Sequence, residues 1–294
     1  MKKIIIILAL FGLCIIPTSY SIKKMDFRDA RLNNVCKDLS GEALLYFVFV
    51  DNTQAAPWTE FDMRSTIDSI RIAIDWLHAQ ARKENIELNI KADFYIGKEF
   101  TTVRKNLPEK SIYESLTSPN IKNGMVTMNK WADGIAKVIG GALPIHTKDG
   151  LPEIKNPHNK ERLVAYLRDE NYAESVALFF LLNNYFKQDI SVTLNTYNTN
   201  DVEFAIISYK YPSEIAHNFL HLYGAADMHE TIYRKNVSKI KTLYQEFPDD
   251  IMQDPAGKNI WELNIGSYTK YLIGWTDSYD PKHESLFTDK FVNY

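Results

Sequence analysis

Hydrophobic residues along the chain follow two patterns, and the first predicts strands. A continuous apolar run, typical of a strand buried on both faces of a sheet, occupies residues 43–50, and further apolar strands are predicted at 174–183 and 202–209. Alternating apolar and polar residues at 86–96 predict a further strand. The more polar stretch 188–200 (QDISVTLNTYNTN) predicts an exposed edge strand and its loop.

The second pattern predicts helices. Apolar residues three or four positions apart are typical of an amphipathic helix, and this spacing occurs at 60–83, 126–139 and 159–170. Another helix is expected to begin at Pro212, and a C-terminal helix at 267–275. Strands that alternate with helices predict an α/β fold with a mostly parallel sheet covered by helices.

One segment departs from this alternation. Residues 105–157 contain five prolines, and Gly140 and Gly141 close the helix predicted within the segment. Prolines and paired glycines interrupt regular structure. We interpret 105–157 as an insertion that decorates the sheet.

The first 21 residues have the three-part form of a secretory signal. A basic start (MKK) precedes a 13-residue apolar run and a polar end with small residues at Ser19 and Ser21. The run is shorter than the ~20 residues of a comfortable membrane span. We therefore expect cleavage after Ser21, export to the periplasm or the exterior of a bacterial-type cell, and a single domain over 22–294 without stable membrane insertion. An uncleaved N-terminal anchor is the alternative.

The charge and the cysteines exclude some functions. Without Lys2 and Lys3, 32 of the 34 basic residues remain against 37 acidic ones, a formal charge of −5. An acidic chain without a basic stripe is not typical of nucleic-acid binding. Cys36 would be the only cysteine, so an intramolecular disulfide is excluded. No motif surrounds this residue, which favours a small buried side chain over a nucleophile.

Candidate chemistry lies in the stretch 216–227, AHNFLHLYGAAD, which has the spacing H-x-x-x-H-x-x-G-x-x-D. Pro212 suits the first turn of a helix, where its missing N–H is no loss. His217 and His221 are four residues apart and therefore lie on one helix face, one turn apart. Their nitrogens could both reach one zinc ion at about 2.0–2.1 Å.

The end of this helix supplies a third candidate ligand. Gly224 can adopt positive φ and so end the helix, and the resulting reversal could bring Asp227 back to the ion. Three protein ligands with an open fourth position are typical of a catalytic zinc site. A half-buried histidine pair without a metal is the alternative.

This motif resembles that of the metzincin zinc peptidases, specifically the snapalysin-like branch whose third ligand is aspartate. The resemblance covers about 43–275, with 105–157 unmatched. It implies a twisted, mostly parallel sheet with one antiparallel edge strand beside the cleft, and a methionine-containing turn beneath the metal. Met252, in DDIMQDP, lies 25 residues after Asp227 and matches that methionine. It also implies zinc as cofactor and a peptide or protein as substrate or ligand.

Asn218 departs from the family pattern. In the family a glutamate occupies this position and acts as the general base toward the attacking water. A carboxamide donates and accepts hydrogen bonds but does not accept a proton near neutral pH. General acid–base catalysis contributes about 10²–10⁴ in rate. We therefore expect zinc to bind while peptide hydrolysis is impaired.

Five other side chains are candidates for the chemistry. His229 and Glu230 closely follow the third ligand, and His229 is an alternative to it on the metal. Glu214 lies one helical turn, about 5–6 Å, too early for direct contact, and it suits the helix dipole. Tyr268 and Tyr271 could donate to an oxyanion, although core packing also explains both.

Three function classes stay open. The first is a secreted zinc peptidase with reduced activity, and the second is a pseudopeptidase whose cleft binds a peptide or protein without cutting it. The third is an exported structural or adhesin-like protein in which the motif is accidental. Metal content separates the third class from the others, and turnover separates the first two.

Overall fold

The structure is a computed structural model, and it describes residues 24–26, 38–53, 55–95, 100, 102–108, 121–140, 159–183, 190–194, 202–208, 210–231, 236–286 and 288–290. The predicted signal at 1–21 and Cys36 lie outside these residues.

The described residues form both strands and helices. The strands are β1 (Lys24–Asp26), β2 (Gly41–Asp51), β3 (Leu88–Tyr95), β4 (Val103–Arg104), β5 (Ser175–Leu182), β6 (Ser191–Leu194), β7 (Phe204–Ile207) and β8 (Thr288–Lys290). The helices are α1 (Glu60–Lys83), α2 (Ile121–Gly140), α3 (Asn159–Asn171), α4 (Pro212–Leu222), α5 (Val237–Glu246) and α6 (Ser267–Leu272). Short 3₁₀ helices span Ile260–Glu262 and Pro281–Leu286.

The main sheet is mostly parallel, as predicted. Its strand order is β3-β2-β5-β7-β6, and β4 pairs with the end of β2. All of these pairs are parallel except β6–β7, which is antiparallel and places β6 at one edge. The prediction of a mixed α/β fold with an edge strand from the 188–200 stretch is therefore confirmed. Separately, β1 and β8 form a two-stranded antiparallel sheet.

Helices cover both faces of the sheet. Alternate residues of each central strand point to opposite faces, so one strand contributes side chains to the core on each side. Leu45 and Phe47 belong to a core cluster that includes side chains of α1, α4 and α6. Leu44 and Tyr46 belong to a second cluster with side chains of α2 and α3. Helix α2 comes from the segment interpreted as an insertion, and it contributes Trp131 to this second cluster.

Helix α1 has the predicted bounds because the sequence marks both of its ends. Thr59 caps the first turn and Asp62 returns the hydrogen bond, which forms a capping box. Arg82 and Lys83 occupy the last turn, where positive charge complements the helix dipole. No helix in the described part of the chain has both the length and the hydropathy to cross a membrane.

Helix α4 follows β7 and carries the histidine motif. It contacts β6 and β7 of the sheet as well as helix α1. Its apolar side chains are fully buried, including Ile215, Phe219 and Leu220. The motif is thus anchored in the core while one end of the helix lies beside the antiparallel edge strand.

Candidate metal centre

Helix α4 ends in a turn that reverses the chain. The N–H of Gly224 donates to the carbonyl of His221, and the N–H of Ala225 donates to that of Leu220, both at 3.0 Å. These two bonds are those of a Schellman motif. Gly224 has φ 95°, a conformation that costs glycine little because it has no Cβ. The reversal brings Asp227 back beside the helix.

Three side chains of the motif converge on one point. The Nε2 atoms of His217 and His221 are 3.0 Å apart. Asp227 Oδ1 lies 3.0 Å from Nε2 of His221 and 3.2 Å from Nε2 of His217. The cluster could hold a metal ion. The structure thus brings together the three side chains that the sequence spacing selects.

The hydrogen bonds of the two Nδ1 atoms indicate which ring nitrogens carry protons. Nδ1 of His217 lies 2.9 Å from the carbonyl oxygen of Ile251, and Nδ1 of His221 lies 2.8 Å from that of Ala225. A carbonyl oxygen only accepts, so both Nδ1 atoms must be the donors. In the neutral rings both Nε2 atoms therefore present lone pairs, and they face a carboxylate oxygen. Three acceptors so close together require a cation or a proton between them.

The carboxylate is ionised at neutral pH. Burial alone would raise the pKa of Asp227, but the electrostatic interaction with His221 and the hydrogen bonds with both histidines hold this pKa well below its usual value of 3.8. Burial alone would lower the pKa of His217, yet its interactions with Asp227 outweigh burial, and the pKa is raised above 6.5. Without a metal, the cluster therefore retains a proton more readily than an isolated histidine does.

The donor atoms fit zinc. Tetrahedral zinc with ligands at 2.0–2.1 Å places its ligand atoms about 3.3 Å apart. The three separations in the cluster lie between 3.0 and 3.2 Å. Two imidazoles and one carboxylate also form a donor set that zinc accepts.

The turn that contains Met252 lies against this cluster. The Met252 carbonyl accepts from the N–H of Met228 at 2.8 Å, one residue after Asp227. The preceding carbonyl, that of Ile251, accepts from His217. Met252 is fully buried. The turn therefore fixes one histidine ring and the backbone that follows the carboxylate.

Asp250 holds this turn in place from within the core. Its carboxylate accepts from the N–H groups of Met252 and Gly266, both at 2.7 Å, and from the Thr269 hydroxyl at 2.9 Å. Burial raises the pKa of Asp250 to about 6, although these three hydrogen bonds each lower it. The turn beside the cluster is thus tied to helix α6 through one carboxylate.

Asn218 points its amide into a hydrogen-bond network with strand β6. Its Nδ2 donates to the Ser191 hydroxyl at 2.7 Å and to the Glu214 carbonyl at 2.9 Å, while its Oδ1 accepts from Thr193 at 2.9 Å. The Ser191 hydroxyl in turn donates to the Glu214 carboxylate at 2.7 Å. Asn218 is only 1% exposed. The network needs N–H donors at this position, and a carboxylate has none.

The other candidates occupy different surroundings. Glu214 is buried and accepts from the Ser191 hydroxyl. The Tyr268 hydroxyl donates to the carbonyl of Leu286 and therefore stabilises the core. Glu230 is exposed. Tyr271 is buried with its ring 4.8 Å from that of Tyr279. His229 lies nearest the cluster, with Nδ1 3.9 Å from Asp227 Oδ1.

Sequence reasoning missed Ser191 and Thr193, which hold Asn218. Both lie in β6 and are two residues apart, so they project from the same face of the strand. Two hydroxyl side chains at alternate positions of a strand were a usable signal. The sequence did not show, however, that this face of β6 packs against helix α4. The carbonyl partners of the two histidines, Ile251 and Ala225, carry no side-chain signal at all.

Two comparisons with known proteins found no match. The sequence matches no family model, and no curated protein matches it. The fold and the cluster define the class: a mixed α/β protein with a candidate His/His/Asp metal centre.

Proposed function

We propose that this protein binds one zinc ion through His217, His221 and Asp227 on a metzincin-like scaffold, and that it binds a peptide or protein without cleaving it efficiently. The observation that carries zinc binding is the convergence of two imidazole lone pairs and an ionised carboxylate within 3.2 Å. Such a cluster of acceptors is stabilised by a cation at its centre.

Two features of the fold support the metzincin-like scaffold. The antiparallel edge strand β6 lies beside helix α4, where the resemblance implies a cleft. The turn containing Met252 contacts both the first histidine and the residue after Asp227, where the resemblance implies a methionine turn.

The arrangement of Asn218 supports binding over hydrolysis. Zinc, when bound, acts as a Lewis acid that polarises a carbonyl oxygen. Efficient peptide cleavage also needs a group that accepts a proton and passes it on. The amide of Asn218 cannot accept one, and it is held by hydrogen bonds with Ser191, Thr193 and the Glu214 carbonyl. In this arrangement Asn218 holds helix α4 against β6, and the neighbouring backbone carbonyls orient the two histidines.

We also propose that the protein is exported after removal of residues 1–21, as a single domain over 22–294 with 105–157 inserted. The support is the basic start, the apolar run and the small residues before position 22. An exported location would give the site access to extracellular or periplasmic zinc and peptides.

The first experiment measures metal content. The purified protein, incubated with zinc and then desalted, should retain one zinc per chain. His221→Ala removes a ligand and should abolish most of the affinity. His283→Ala is the matched control, because this histidine faces Glu246 and not the cluster. A wild-type protein without zinc, or a His221→Ala variant that retains as much, would contradict the proposal.

The second experiment separates binding from cleavage. The zinc-loaded protein is incubated with a peptide library, and both cleavage products and retained peptides are measured by mass spectrometry. We expect retained peptides and no chelator-sensitive cleavage. Zinc-dependent turnover by the unmodified protein would contradict the pseudopeptidase and favour a peptidase that uses another proton acceptor.

A further inference from the structure

One ring nitrogen beside the cluster has no role in the site as described so far. Nδ1 of His229 is inaccessible to solvent and has no hydrogen-bond partner among the residues that the structure describes. A buried polar atom without a partner loses its hydration and gains nothing in return. Such an atom at the margin of three metal donors calls for an explanation.

The position of this nitrogen relates it to the cluster. Nδ1 lies 3.9 Å from Oδ1 of Asp227, and the His229 ring centroid lies 6.3 Å from that of His217. The chain between Asp227 and His229 is anchored, because Met228 is fully buried and its N–H donates to the Met252 carbonyl. The backbone thus keeps His229 at the rim of the site.

The ring of His229 is also less enclosed than that of His217. The side chain of His229 is 36% exposed, so it is not confined by packing as His217 is. It is not among the three side chains whose donor atoms already lie close enough together to share one ion. Its separation of 3.9 Å from Asp227 Oδ1 would need to shorten by only about 0.6 Å to match the ~3.3 Å expected between tetrahedral zinc ligands.

We infer that His229 is the fourth protein ligand and closes the metal site through Nδ1. This inference rests on zinc binding by His217, His221 and Asp227, and it specifies what that site does. Four protein ligands without an open position are typical of a structural zinc site, whereas a catalytic site keeps one position free. The zinc would then fasten the segment after helix α4 to the helix, in keeping with the absence of a proton acceptor at Asn218.

The test counts the ligands directly. X-ray absorption spectroscopy of the zinc-loaded protein should show three imidazoles in the wild type and two in His229→Ala. Glu230→Ala is the matched control, because this neighbouring residue is exposed, and it should keep three. Competition with a chelator should show zinc affinity at least about tenfold lower in His229→Ala, since loss of even an outer partner costs about 10–100-fold.

A substitution that adds a different ligand makes the test independent of loss of function. In the cobalt-loaded His229→Cys variant, a thiolate at position 229 should bind the metal and produce a sulfur-to-cobalt charge-transfer band in the near ultraviolet. Far-ultraviolet circular dichroism checks that each variant is folded.

The outcomes distinguish this inference from the proposed function. No zinc in the wild type would contradict metal binding itself. Zinc bound with two imidazoles in both the wild type and His229→Ala, and no thiolate band in His229→Cys, would overturn the fourth ligand and leave metal binding intact. Chelator-sensitive peptide cleavage that His229→Ala abolishes without a change in imidazole count would also overturn it, and would assign His229 to proton transfer instead.

Discussion

Replacing Asn218 by glutamate, the residue that the resemblance places there, tests the hydrogen-bond network around it. The substitution removes the two N–H donations to Ser191 and to the carbonyl of Glu214. It also places a carboxylate close to that of Glu214, since one Ser191 hydroxyl bridges the two side chains through hydrogen bonds of 2.7 Å each. Both positions are at most 4% exposed, so water screens the two charges poorly.

The expected loss of stability has two parts. Two net hydrogen bonds contribute about 2 kcal/mol together. Two like charges about 5 Å apart repel by roughly 3 kcal/mol at an effective dielectric constant of about 20. We therefore expect Asn218→Glu to lower the free energy of unfolding by about 5 kcal/mol at pH 7.5.

The loss should depend on pH with a definite sign. Burial and the Glu214 carboxylate raise the pKa of the introduced glutamate above the ~4.3 of the unfolded chain. The folded state then keeps a proton that the unfolded state releases, so the destabilisation grows as the pH rises from about 4.3 to about 6.5. At pH 5 we expect a loss of about 3 kcal/mol.

The assay is urea unfolding followed by circular dichroism, with a chelator present so that metal binding does not contribute. Asn218→Gln is the matched control, because it has the length of glutamate without the charge, and its loss should not change with pH. Adding Glu214→Gln should restore about 3 kcal/mol in the glutamate variant. Equal unfolding free energies for the Glu and Gln variants at both pH values would refute the reasoning.

Three further predictions concern the turn after helix α4, the buried Asp250 and export. Gly224→Ala should lower the free energy of unfolding by about 1–2 kcal/mol, because φ is 95° at this position. It should also weaken zinc binding, measured by chelator competition, because the turn carries Asp227. Unchanged values for both quantities would contradict the role of the turn. Asp250 has a pKa raised to about 6 by burial, so it should make the unfolding free energy fall by about 2 kcal/mol as the pH rises from about 4 to 6. Asp250→Asn in chelator should lack this decline, and a parallel pH dependence in both proteins would argue against it. N-terminal sequencing of the exported protein should begin at or near Ile22, and a full-length chain in the cytoplasm would contradict cleavage.

The sequence predicted the fold where its signals are local. Helix α1 has its predicted bounds because capping residues mark both ends. The central strands were recognisable because burial on both faces produces continuous apolar runs. Helix α5 was not predicted, although Val237, Ile240 and Leu243 have helical spacing; the segment is short and Leu243 is its only buried residue among those described. The β1–β8 pair was not predicted either, because it joins residues at opposite ends of the chain.

The candidate site was predictable to the extent that one helix and its turn contain it. His217, His221 and Asp227 lie within eleven residues of sequence, so helical spacing and a glycine could bring them together. The surroundings of Asn218 were not predictable, because Ser191 and Thr193 reach it only through the packing of β6 against α4. The carbonyls that orient the histidines belong to the backbone, and backbone groups leave no pattern in a sequence.

The carboxylate of Asp250 has a consequence for when the site can form during synthesis. The Ile251 carbonyl orients the first histidine ring, and the turn containing it depends on Asp250, which is held by Gly266 and Thr269. A nascent chain that ends before these last two residues contains His217, His221 and Asp227 but not the support for the turn that orients the first histidine. Under the proposed function, metal uptake would indicate that the C-terminal segment has docked. A chain truncated before Gly266 would contain the three candidate ligands, but the turn that orients the His217 ring would lack its support.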